Sequence, residues 1–171
     1  MASERIAAAV GGAREYLSAH PEEARYRDSA ATAVVEDGLR VRVTGPDGAS
    51  VTTDMVSAVG GGGSAPSPAW LFRAGYASCV ATLISLAAAV EGVELTGLEV
   101  TVDSESDDRG ILGIDATVLA GPLSMRVDVR VASATADEGR VREIVDWGRA
   151  HCPVDDAVRR AVPVAFTVQV G

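Results

Sequence analysis

Residues 74–90, AGYASCVATLISLAAAV, carry no charged side chain over 17 positions, and this stretch limits what the rest of the chain can be. Just upstream, Ser67-Pro68 supplies a capping hydroxyl followed by proline at the first helical position, and Gly92 supplies a stop. The pattern predicts a helix from Pro68 to about Glu91, roughly 35 Å long at the helical rise per residue. It is apolar nearly all round, so it is expected at the centre of a small domain. Its length touches the short edge of the membrane-spanning range. Ala, Ser, Thr and Gly keep it only mildly apolar, so a buried core helix with no membrane association is the expectation.

The flanking segments alternate as strands do. Val34 and Val35 lead into Glu36-Asp37-Gly38, and Leu39, Val41 and Val43 then alternate with Arg40 and Arg42, predicting a hairpin over 31–35 and 39–44. Gly45-Pro46-Asp47-Gly48 is a second turn, and 51–55 a third strand. Gly60 to Pro68 reads as a flexible Gly/Ser/Pro loop. After the long helix, 95–102 is expected as a strand, with 112–119 and 123–131 forming a hairpin across Gly121-Pro122. Residues 136–151 form a second helix with Val141, Ile144, Val145 and Gly148 on one face, ended by Cys152-Pro153. A short helix over 155–161 and a last strand over 164–170 follow. Residues 4–19 are an Ala-rich helix that stops at Pro21. Strands, long helix, strands, helix, strand argues an α+β fold with mostly antiparallel sheet.

Charge and composition exclude several chemistries. The net charge is -9, which disfavours phosphate-bearing partners, so neither nucleic acid nor an anionic membrane is expected. All 15 basic residues are Arg, and without Lys there is neither Schiff-base chemistry nor a Walker-type lysine. Gly60-Gly61-Gly62-Gly63 is therefore a linker and not a phosphate loop. The acidic run 103–108 lacks the sixth-position Gly and twelfth-position Glu of a calcium loop, having Asp108 and Ile114 there. There is no C-x-x-C, and only His20 and His151 could join the two Cys in holding zinc, so no metal is expected. Glu4 and Arg5 interrupt any secretory leader pattern, which makes the cytoplasm the default. Reduced thiols there favour catalysis or redox sensing over a structural disulfide.

That leaves Cys79, in the middle of the long helix, and Cys152, at the end of the second helix and 73 residues away. Either can be a small buried hydrophobe. Alternatively, one is a peroxide-reactive thiolate and the other captures its sulfenic acid as a disulfide. His151 is placed to assist ionisation of Cys152. Arg73 lies six residues before Cys79, about 240° around the helix, and so on a different face.

Two stretches carry a family resemblance. Pro66-Ser67-Pro68-Ala69-Trp70-Leu71-Phe72-Arg73-Ala74-Gly75-Tyr76-Ala77-Ser78-Cys79 resembles the helix opening of the OsmC/Ohr family, where a Pro-rich loop leads into the helix bearing the peroxidatic cysteine. His151-Cys152-Pro153-Val154 is similar to the family's second motif, a Cys-Pro before a short helix and a final strand. The resemblance is good over about 54–170, weaker over 31–53 and absent over 1–25. It implies an OsmC-like domain at 26–171, with 1–25 as a helical extension. It further implies an intertwined homodimer whose sheets enclose the long central helices. Cys79 would attack an organic hydroperoxide, Cys152 would resolve the sulfenic acid, and an external dithiol would reduce the disulfide, with no cofactor or metal. One departure is visible. The family places Glu directly after the helix-opening proline, paired with an Arg that supports the thiolate, where this chain has Ala69. Arg27, Arg40, Arg42 and Arg73 are the available cations. The alternative reading is a catalytically weakened member that binds a small apolar ligand or senses oxidants.

Overall fold

The computed structural model describes residues 2–171. Among these residues, five α-helices and five strands follow one another as α1 (Ala2–Ala19), β1 (Thr32–Asp37), β2 (Arg40–Thr44), β3 (Ser50–Thr53), α2 (Pro68–Val90), β4 (Leu95–Glu105), α3 (Asp108–Ile111), β5 (Ser124–Ser133), α4 (Glu138–Ala150) and α5 (Pro153–Arg159). The architecture is α+β, with antiparallel strands and one long helix, as the sequence pattern predicts. The chain forms two compact units. One contains Tyr76–Thr101 and Val127–Gly171 with the first residues up to Ala7, and the other contains Ala8–Gly75 and Val102–Arg126.

In the second unit, β1, β2 and β3 form an antiparallel sheet in that order. Val35 faces Val41 and Val43 faces Val51, with a bulge between Val35 and Asp37. Gly38 takes φ +54, the left-handed turn conformation that only glycine adopts cheaply. None of the residues of α1 is buried.

The glycine-rich loop departs from the expectation of a flexible linker. Asp54, 3% exposed, gathers it. Its Oδ1 accepts from the amides of Met55 (2.8 Å) and Gly62 (3.3 Å), and its Oδ2 from the Ser64 amide (3.0 Å) and hydroxyl (2.8 Å). Gly60 and Gly63, at φ +88 and +60, let the backbone curl round the carboxylate. These bonds, those of Ser64 first, hold Asp54 down at about 2. The loop ends in the expected helix start. Ser67 Oγ accepts from the Trp70 amide at 3.2 Å, and Pro68 opens α2.

In the first unit, α2 buries Tyr76, Val80, Ile84, Ala87 and Ala88, three and four apart on one face, and Ala89 near its end. By length and composition α2 is also long and apolar enough to cross a membrane, and in this chain that face packs against protein. Gly92, at φ +66, ends it. Helix α4 lays Val141, Ile144 and Gly148 inward, the stripe read from the sequence. Gly148 is where α4 meets α2, because a Cβ there would stand 2.8 Å from the Ile84 backbone nitrogen and Cγ1.

Two strand expectations fail. Residues 112–119 are not a strand, and β4 pairs with β5 instead. Asp107 caps α3 by accepting from the Arg109 amide at 3.0 Å, and Asp115 accepts from the Thr117 amide and hydroxyl at 2.9 and 2.7 Å. Gly113 turns at φ +67. Such local side-chain-to-backbone bonds compete with a strand ladder, and here they prevail. Residues 164–170 are likewise not a strand, although their alternation is real. Val164, Phe166, Val168 and Val170 are 68–92% exposed. A strand exists only through a hydrogen-bonded neighbour, and the single chain offers none to this segment among the described residues.

Candidate active site

Cys79 and Cys152 reach one another through α2 and the α4–α5 junction. Helix α4 ends at His151, and Cys152 caps α5, with Pro153 at the first helical position. As cap, Cys152 Sγ accepts from the Asp155 amide at 3.4 Å. The sulfurs of Cys152 and Cys79 lie 3.1 Å apart, in hydrogen-bonding contact, and both are free thiols. A disulfide needs about 2.05 Å, so bond formation asks for roughly 1 Å of travel.

The two thiols differ in surroundings. Cys152 is 1% exposed, whereas Cys79 is only half-buried. Burial pushes the Cys152 thiol above its ordinary value, and the Asp155 amide only partly offsets this. Cys79 is therefore the more accessible residue of the two, and burial opposes ionisation of Cys152.

Two groups around the pair were not singled out from the sequence. Tyr76, one turn before Cys79, donates its hydroxyl to Asp155 Oδ1. Burial, and then this bond, push its phenol up to about 12. Asp155 stands in a charged run with Asp156, Arg159 and Arg160 that helix periodicity alone would leave solvated, yet it is only 5% exposed. Asp156 and Arg160 do pair on the surface at 2.5 Å. The α5 period puts Asp155 inward, where Tyr76 and Arg159 (Nε–Oδ2 3.2 Å) keep its charge paired. The sequence holds one signal of this, the i,i+4 step from Asp155 to Arg159, but nothing in it marks which face is covered. A cavity of about 360 Å³ is lined by apolar Val80, Val129 and Val145 and by polar Tyr76, Arg149 and Asp155.

Most of the other candidates have partners of their own. His151 bonds through Nδ1 to the Trp147 carbonyl at 2.8 Å and stacks on the Trp147 ring at 3.9 Å. Arg40 bonds Ser64 Oγ at 2.6 Å, Arg42 bonds Glu36 at 2.6 Å, and Arg73 bonds Ser104 at 3.2 Å, all within the second unit. Arg27 is exposed.

Comparison with known proteins agrees with the motifs. A family model described as OsmC-like protein matches residues 61–167. The organic hydroperoxide resistance protein of Xanthomonas axonopodis pv. citri (strain 306) is 31% identical over 109 residues, covering 64% of this chain and 70% of that protein. Among solved structures, the OsmC-like protein from Mycoplasma pneumoniae superposes with a TM-score of 0.67 at 14% identity, over 80% of this chain and 91% of that one. The organic hydroperoxide resistance protein OsmC from Legionella pneumophila gives 0.57 at 22% identity, over 79% and 91%. At those identities the structures speak to the fold.

Proposed function

The chain belongs to the OsmC-like protein family, and from that premise we propose that it is a thiol-dependent hydroperoxide reductase. The observation that carries the reading is the 3.1 Å approach of two free sulfurs, one half-buried and one enclosed. The Cys79 thiolate attacks the outer oxygen of an organic hydroperoxide. The O–O bond breaks, an alcohol leaves with a proton, and Cys79 becomes the sulfenic acid. Cys152 then displaces water from it to form the disulfide. An external dithiol returns two electrons and two protons, restoring both thiols. The name of the Xanthomonas relative and the oxidation chemistry of cysteine support this assignment. The protein works as a homodimer in a reducing compartment such as the cytoplasm, and needs neither metal nor cofactor.

The test is direct. Reduced protein supplied with a dithiol should consume cumene hydroperoxide, Cys79→Ser should abolish consumption, and Cys152→Ser should stop it after about one equivalent per chain. No consumption by the reduced wild-type protein ends the proposal.

One observation favours a second reading. With Ala69 in the position of the family's Glu, the Glu–Arg pair that the resemblance implies cannot form, and Arg40, Arg42 and Arg73 bond Ser64, Glu36 and Ser104. A member so altered binds a small apolar ligand or senses oxidants without fast turnover. Titration of Cys79 separates the two readings. A thiol pKa well below the free value of about 8.5 speaks for the enzyme, and one above it for the binding protein.

A further inference from the structure

The bond between Tyr76 and Asp155 runs alongside the contact between the sulfurs. Tyr76 precedes Cys79 by three residues on α2, and Asp155 follows Cys152 by three residues at the start of α5. Residues three apart on a helix share a face. The two segments are thus joined at two rungs one turn apart, one a hydrogen bond and the other the reactive pair. Asp155 grips both sides. Its amide holds the Cys152 sulfur at 3.4 Å, while its carboxylate holds the Tyr76 hydroxyl. The spare carboxylate oxygen is taken by Arg159 at 3.2 Å, so the buried charge does not pull the group elsewhere. Both side chains are nearly enclosed, Tyr76 at 4% and Asp155 at 5% exposed, where a hydrogen bond is stronger than at the surface.

We propose that Tyr76 and Asp155 are positioning residues for disulfide formation, their hydrogen bond across α2 and α5 setting the separation of the Cys79 and Cys152 sulfurs and hence the redox potential of the pair. The inference rests on the reading above that these thiols cycle. In the step concerned, the bond between the two sulfurs forms and the S–O bond of the Cys79 sulfenic acid breaks. The departing hydroxide takes the Cys152 proton and leaves as water, the hydroperoxide having been the oxidant. A pair held at contact distance loses little freedom on bonding, so the disulfide is favoured. A pair released from the second rung samples wider separations and the disulfide becomes easier to reduce.

The experiment equilibrates the full-length protein with mixtures of reduced and oxidised dithiothreitol, without peroxide, and counts the Cys79–Cys152 disulfide by mass after alkylation. Tyr76→Phe, which removes one oxygen, should lower the effective concentration of the pair about tenfold, a shift of about 30 mV for a two-electron couple. Asp155→Ala should do the same. Asp155→Asn, whose amide oxygen still accepts from Tyr76, should stay within about threefold of the wild type. The Tyr76→Phe/Asp155→Ala double variant should be no worse than the worse single one, because both remove the same bond. If Asp155→Ala does not fold, Tyr76→Phe with Asp155→Asn as control carries the test alone. A Tyr76→Phe potential equal to that of the wild type overturns the inference, as does additive loss in the double variant. A wild-type protein that leaves hydroperoxide untouched, while Tyr76→Phe still shifts the potential, supports this inference and overturns only the proposed reaction.

Discussion

Burial distinguishes the two thiols. Cys152 is enclosed and its ionisation is opposed by its surroundings, while Cys79 on the neighbouring helix keeps partial access to solvent. Alkylation of the folded, reduced protein with iodoacetamide near pH 8 should therefore modify Cys79 well before Cys152, with the difference vanishing in denaturant. Peptide mass mapping reads this, and prior modification of Cys152 is the contrary result. The sign of the pH dependence follows from the same burial. A thiol whose folded pKa is raised contributes stability that is whole below its unfolded value of about 8.5 and is lost as pH rises towards the folded value. Wild-type stability should thus decline above pH 8.5 more steeply than that of Cys152→Ser, as measured by urea unfolding at a series of pH values. Beside the thiols, His151 shows how a chain neighbour need not be a chemical one, since its ring is given over to Trp147.

At the level of elements, two contacts set the frame. Helix α4 approaches α2 at Gly148, where a methyl group would fall 2.8 Å from Ile84, a residue with no exposed surface. Both the Ile84 backbone and its side chain stand in the way, so Gly148→Ala should force the helices apart at a cost of about 1–3 kcal/mol. Denaturant melts check the cost, and an unchanged midpoint would contradict this packing. The second contact is the Asp54 carboxylate within the Gly60–Ser64 loop. Its folded pKa is depressed to about 2, so its contribution is present above the ordinary carboxyl value near 3.9 and disappears as pH falls through the folded value. Amide exchange at Gly62 and Ser64 should accelerate between about pH 4 and 2 relative to the intrinsic rate, and Asp54→Ala should show the fast exchange already at neutral pH. Persistent protection of both amides in Asp54→Ala would mean that other bonds order the loop.

For the whole molecule, the exposed apolar side chains of Val164, Phe166, Val168 and Val170 set the prediction. The stretch from Val164 to Val170 alternates like a strand and has no strand partner among the described residues. The proposed homodimer should show twice the chain mass by light scattering, and deletion of 162–171 should weaken or abolish the association. A wild-type monomer at high concentration rules the dimer out. The segments that local chemistry fixes were legible in the sequence. They include α2, announced by Ser67-Pro68 and closed by Gly92, the hairpin at Gly38, and the inward stripe of α4. Both cysteines stood out as candidates too, because motif and order along the chain mark them. Where nearby side chains compete for the backbone, as Asp107, Asp115 and Thr117 do over 107–117, hydrophobic alternation misled. The closing of 73 residues to a 3.1 Å contact and the inward turn of Asp155 towards Tyr76 came only from tertiary packing. Helix periodicity names the residues that share a face. Which face is covered, and by what, depends on partners distant in the chain, and no local pattern encodes them.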